Sequence, residues 1–224
     1  PTPIRGGICI EGFELGRLNY FSDGMIRGEI HCNISGDRGK LDEYTPNAII
    51  VLNEVMNEIM NLKITQRPRS RIVIGKIRGG ANHGKIALEA ALGFEIRSDS
   101  YKMVKKIFKY IKDIVEGISH ENEVFLNLKT IINLRASRLK YNHPLVKNSA
   151  AVLEKLGIKP FSKSTESAQS IFLSQKIPAV TLGITHGENV YKDKATMEIE
   201  PMYKGIAQVI GVLKAIDGGV CDEQ

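Results

Sequence analysis

Tryptophan is absent from the 224 residues, and aromatic residues make up only 6% of them. Long apolar runs are missing too. None approaches the roughly 20 residues that a membrane-crossing helix needs. Cysteine is scarce: Cys9, Cys32 and Cys221 are odd in number and lack a CxxC spacing. A disulfide framework and a cysteine-based zinc site are therefore not indicated, and a reduced, cytoplasmic chain with free thiols is expected. The net charge of +6 comes without a long basic run, because Lys and Arg alternate with Asp and Glu along the chain. With no aromatic-interleaved basic patch, neither a nucleic-acid nor a membrane partner is expected. The Gly-rich "GGANHGK" (79–85) lacks the GxxxxGK[ST] spacing of a phosphate loop and leads into a strand, which excludes that reading. No leader peptide is visible and residue 1 is Pro, so a fragment or a processed product is expected.

What remains is ordinary globular material, 42% hydrophobic and 25% charged. Two short strands, "RLNYFS" and "MIRGEIHCNIS", flank the turn Asp23-Gly24. In "TPNAIIVLNEVMNEIMNLK", Thr45 reads as the helix N-cap and Pro46 as the first helical residue, with Ile49, Leu52, Met56, Ile59 and Met60 on one apolar face. "RIVIGKIRG" (71–79) and "LEAALGFEIR" (88–97) read as strands. Asp99 is placed to cap a second amphipathic helix carrying Met103, Ile107, Phe108, Ile111, Ile114 and Val115. "EVFLNLKTIINLR" (123–135) is a further strand. This order predicts a ferredoxin-like βαββαβ domain, an antiparallel sheet with both helices on one face. After it, helices over 143–157, 164–176 and the stretch from Glu200 surround "IPAVTLG" (177–183), an apolar run suited to a strand buried on both faces. The chain is thus expected to be α/β (α+β) in class. Residues 1–16 and 137–224 would be parts of an α/β layer, and 17–136 the ferredoxin-like domain.

The order of these motifs resembles the zinc-dependent peptidase and deacylase family that carries an inserted dimerisation domain, with tripeptidase, aminoacylase, acetylornithine deacetylase and glutamate carboxypeptidase among its members. "CIEGFELGRLNY" resembles the entry into the insert, and "TPNAIIVLNEVM" its first helix. "IGKIRGGANHGKIALEAALGFEIRS" resembles its central hairpin. "NHPLV", "KIPAVTLG" and "GENVYKDKATMEIEPMYKG" resemble the returning catalytic segment. The resemblance implies a homodimer formed through the ferredoxin-like domain. It also implies zinc as the family's cofactor, and a small peptide or acyl amino acid as the ligand.

The resemblance also shows what this chain lacks. The family's first metal ligands come from His-x-Asp and Glu-Glu motifs upstream of the insert, and neither motif occurs in these 224 residues. Glu11 falls where a carboxylate ligand is expected. Tyr191 falls at the position of the closing His ligand, and Ala195 where an acidic residue follows. A phenol, protonated at neutral pH, is a poor zinc ligand. His186, five residues upstream, is a possible substitute ligand. Within the insert, Gly84 and Ala87 replace a substrate-binding Asn and a Pro. Arg38 replaces a His that reaches the scissile carbonyl, and it could still pair with an anion. Arg135 is a candidate for holding a substrate carboxylate or else for a surface ion pair, and His83 for a ligand contact or a plain turn. Three readings follow: a non-catalytic or fragmentary dimerising relative, the C-terminal part of an active zinc hydrolase whose other ligands lie upstream, or an anion-binding module using Arg38, Arg97 and Arg135.

Overall fold

The computed structural model describes residues 4–35, 45–163, 168–189 and 194–222. It divides into two compact units, one made of residues 1–23 with 135–224 and the other of Gly24–Leu134. The first unit opens with β1 (Gly7–Glu11), β2 (Leu18–Asn19) and β3 (Phe21–Ser22). The second contains β4 (Gly24–Asn33), α1 (Ala48–Asn61), β5 (Ser70–Gly79), β6 (Glu89–Ser98), α2 (Tyr101–Glu121) and β7 (Phe125–Leu134). The first unit resumes with β8 (Ser137–Arg138), α3 (Pro144–Lys155), α4 (Gln169–Ser174), β9 (Ala179–Gly183), β10 (Gly187–Glu188), β11 (Thr196–Met197) and α5 (Glu200–Asp217). Among the described residues, no helix is long and apolar enough to cross a membrane.

The second unit is ferredoxin-like. Its four strands lie in the order β5-β6-β4-β7, and every neighbouring pair is antiparallel. Strand periodicity sends Ile26, Ile30, Leu92, Phe94 and Ile96 to one face, where α1 and α2 bury them. Each such aliphatic or aromatic side chain contributes about 1.5–3 kcal/mol by leaving water. The other face is a polar ladder in which Glu95 pairs with Arg27 and Arg97, and Glu29 accepts from Lys76 Nζ at 2.8 Å.

Several local expectations shift here. The N-cap of α1 is Asn47, not Thr45, because the Asn47 side chain accepts from Ile49 N at 3.0 Å and the helix starts at Ala48. Its buried face is Ala48, Val51, Leu52, Val55 and Ile59, so Ile49 and Met60 are exposed and Met56 is only partly covered. The N-cap of α2 is Ser100 rather than Asp99, since Ser100 Oγ accepts from Met103 N. "RLNYFS" is split into β2 and β3, which pair with β9 and β8. The second compact unit consequently begins at Gly24, seven residues after the boundary expected from sequence.

The first unit is layered around β9, which is buried along its whole length. β9 runs parallel to β1 and antiparallel to β2, giving the order β1-β9-β2. Val180 and Leu182 share a core with Leu145, Val146 and Leu153 of α3 and Val212 of α5. On the opposite face, Thr181 Oγ1 donates to Gln169 Oε1 at 3.1 Å, and Gln169 Nε2 donates to the carbonyls of Asn19 and Ala179. These buried polar groups satisfy one another and hold α4 on the sheet.

Candidate metal centre

Glu11 is the last residue of β1 and stands in register with Gly183, the last residue of β9. The chain then turns through Gly12–Gly16. Glu14 and Gly16 adopt left-handed backbone angles, with φ of 63° and 96°. This loop lies against the end of β9: Thr185 N donates to Gly12 O at 3.2 Å, and Leu15 N donates to Thr185 O at 3.0 Å. The approach requires glycine at 183, where a Cβ would sit 2.0 Å from Glu14 O.

The turn carries Arg17 back over Glu11. Arg17 is 8% exposed, and its guanidinium pairs with the carboxylates of both Glu11 and Glu14. Lys163 Nζ lies 3.0 Å from Glu14 Oε1. The carboxylate that the resemblance assigns to metal is thus the acceptor of a buried guanidinium. Sequence reading passed over Arg17 and Glu14. The signal available was the charge pattern Glu11, Glu14, Arg17 around Gly12 and Gly16 at the end of an apolar run, two carboxylates followed by a cation across a turn.

The remaining candidates are dispersed. His186 is exposed, and its carbonyl accepts from Glu198 N at 2.9 Å. It lines an open cleft of about 760 Å³ together with Leu15, Lys159, Glu198, Glu200 and Lys204. Among the described residues, no group of three or more His, Cys, Asp or Glu side chains is arranged to hold a metal ion, so Glu11 and His186 do not converge into one. Cys9 precedes Glu11 by two residues. Burial first and the Glu11 carboxylate second push its thiol up. The residues described at this place therefore do not fit a zinc ion. Tyr191 and Arg38 lie outside the described residues.

Gly84 and His83 occupy the exposed turn between β5 and β6. Gly84 has φ of 70° with open space around it. Backbone conformation accounts for glycine there, and Asn is the other residue that tolerates this region. At the base of the hairpin, a shallow hollow of about 540 Å³ is lined by His31, Asn33, Arg78, Asn82, Lys85 and Glu89. Arg135 is exposed just beyond β7, and Arg97 is held on the polar sheet face by Glu95.

Residues 22–123 match the family model of the peptidase dimerisation domain. No curated protein matches the sequence. Among solved structures, the chain is similar to a tripeptidase from Staphylococcus aureus, with a TM-score of 0.78 and 19% identity over 96% of this chain and 58% of that one. It is similar to the aminopeptidase PepT from Bacillus cereus, with a TM-score of 0.73 and 14% identity over 95% and 57%. It is also similar to an amidase of the hydantoinase/carbamoylase family from Burkholderia vietnamiensis, with a TM-score of 0.72 and 12% identity over 94% and 54%. At these identities the likeness is one of fold, and the chain spans less than two thirds of each structure's length. Residues 22–123 are thus identified with a peptidase dimerisation domain, and the chain as a whole shares its fold with these peptidases and amidases.

Proposed function

We propose that this chain is a dimerising relative of these peptidases and amidases that does not hydrolyse peptides by itself. The observation that carries the dimer is the margin formed by α1 and β5. β5 is a ten-residue edge strand with one neighbour, β6, so its outer backbone groups have no partner strand among the described residues. Ile77 on this edge is 56% exposed and, being paired with Leu92, lies on the helix side of the sheet. Ile49, Met56 and Met60 run along α1 at helical spacing, and Ile49 reaches the strand: a Cβ on Gly79 would stand 2.9 Å from its Cγ1. An apolar margin beside an unpaired strand favours self-pairing about a two-fold axis. The cations Arg71, Lys76 and Arg78 fall on the opposite face of β5 and leave this margin apolar.

The lack of hydrolysis is supported by Arg17, which engages Glu11, and by Tyr191 and Arg38, which replace two histidines of the family. Zinc is then the cofactor of complete family members and not of this chain alone. The three unpaired thiols suit a cytoplasmic location, and a small peptide or acyl amino acid is the ligand class. A second reading, the C-terminal part of an active hydrolase, has one observation in its favour. Ile199 at the N-cap of α5 and Tyr203, Ile206, Ile210 and Leu213 along it recur at helical spacing and are 47–70% exposed, a stripe suited to cover by further polypeptide of the same α/β layer.

Multi-angle light scattering tests the dimer. The chain should run at twice its mass of 24.8 kDa, and Ile77→Lys should run as a folded single chain. A monodisperse monomer of the unaltered protein at micromolar concentration overturns the reading.

A further inference from the structure

We propose that Arg17 is a built-in cation, its guanidinium filling the space between Glu11 and Glu14 and closing this end of the sheet to divalent metal. The proposal deepens the non-hydrolysing reading, because it names what stands in the metal's place.

Three observations carry it. First, Arg17 is more deeply buried than either carboxylate it pairs with. An ion pair formed for solubility would leave its long side chain in water, whereas this one is spent inside the fold. Second, the geometry is enforced by the backbone. The left-handed Glu14 and Gly16 tighten the turn so that Arg17 N donates to Glu14 O at 2.9 Å, and the side chain returns toward the end of β1. A non-glycine residue held at positive φ persists only where its surroundings over-determine it. Here the surroundings are the Glu14 contacts with Arg17 and Lys163 and the packing of its carbonyl over Gly183. Third, the carboxylates already meet cations. Among the described contacts, Glu11 pairs with Arg17 and Glu14 with Arg17 and Lys163, so a divalent ion would have to displace a cation already bound. A guanidinium suits the role because its planar fork engages two carboxylates at once, where an ammonium is a point charge.

The test uses the whole chain, with cobalt(II) as the probe. Equilibrium dialysis with elemental analysis and thermal melting are run on the unaltered protein, on Glu11→Gln, on Arg17→Gln, and on the triple variant Glu11→Gln/Glu14→Gln/Arg17→Gln. The unaltered protein should melt at the same temperature with and without cobalt. Arg17→Gln should melt lower, because its carboxylates lose their counter-charge. It should regain part of the difference on adding cobalt, with affinity about tenfold or more above that of the unaltered protein. The triple variant should melt near the unaltered protein and ignore cobalt. If Arg17→Gln does not fold alone, refolding in cobalt must recover it while the triple variant folds without metal. Cobalt binding by the unaltered protein that Glu11→Gln removes overturns the proposal. So does an Arg17→Gln variant with no gain in affinity, or a triple variant as unstable as the single one. None of these readouts depends on peptide turnover or on dimer mass, so losing this proposal leaves the dimer reading standing.

Discussion

Gly117 and Gly205 both sit inside helices, and the structure assigns opposite outcomes to replacing them with alanine. Gly117 lies in α2 with nothing within 4 Å of a would-be Cβ. Gly205 lies in α5, where a Cβ would stand 2.0 Å from the Ile184 carbonyl oxygen and 2.7 Å from its carbon. Helix propensity alone favours alanine at both places by about 1 kcal/mol. At Gly117 nothing opposes this gain, so Gly117→Ala should stabilise the protein. At Gly205 the obstacle is backbone, which cannot rotate away as a side chain can. Overpacking there belongs at the upper end of the usual range of about 1–3 kcal/mol. The difference leaves Gly205→Ala destabilised by about 2 kcal/mol, or a drop of about 8 °C at roughly 4 °C per kcal/mol for a unit of this size. Calorimetry detects the shift, and hydrogen exchange at the α5 amides assigns it to the correct unit. A Gly205→Ala protein as stable as the unaltered one would refute the close approach of α5 to residue 184, and with it the placement of the His186 and Glu198 cleft.

His143 caps α3 through its neutral ring, whose Nδ1 accepts from Leu145 N at 3.1 Å, and burial holds its pKa below the ordinary 6.5. The folded state therefore binds fewer protons than the unfolded one, so this contribution is present above pH 6.5 and is lost as pH falls through the lowered value. His143→Asn keeps a capping acceptor without titrating, and its melting temperature should fall less than the unaltered protein's between neutral and mildly acid pH. At Glu95, burial pushes the carboxyl pKa up, but hydrogen bonds and charge from Arg97 and Arg27 outweigh it and leave the pKa lowered. Its contribution is present above the ordinary carboxylate range and is lost on acidification through the lowered value. Glu95→Gln should accordingly give the ferredoxin-like unit a shallower acid limb in a melting-temperature series, and an unchanged limb would count against the ladder.

The ferredoxin-like order was legible because each element carries its own period. α2 repeats apolar residues at helical spacing over 21 residues, and β6 alternates buried and half-buried positions from Ala90 to Ser98. α1 was read one step off. Its apolar residues surround more than one face, and tertiary packing on the sheet chose Val51 and Val55 over Ile49 and Met60. The caps slipped by one or two residues because Thr45 and Asn47, like Asp99 and Ser100, are all competent acceptors, and only backbone geometry decides between them. At the candidate site the sequence pointed to Glu11 but not to its partner. Whether a carboxylate at a strand end meets a metal or an arginine depends on how the following turn folds back, and that rests on left-handed angles at Glu14 and Gly16.

Turnover by the purified chain tests the central claim most directly. The protein is incubated with zinc or cobalt against a panel of dipeptides and N-acyl amino acids, with and without a chelator. A co-catalytic metal site needs several protein ligands and a general base acting as a unit, and removing one preorganised stabilising donor alone costs on the order of a hundredfold in rate. With Glu11 paired to Arg17, and with Tyr191 and Arg38 standing where the resemblance expects histidines, the account predicts no chelator-sensitive hydrolysis. Hydrolysis that a chelator abolishes, and that Glu11→Ala abolishes as well, would contradict it.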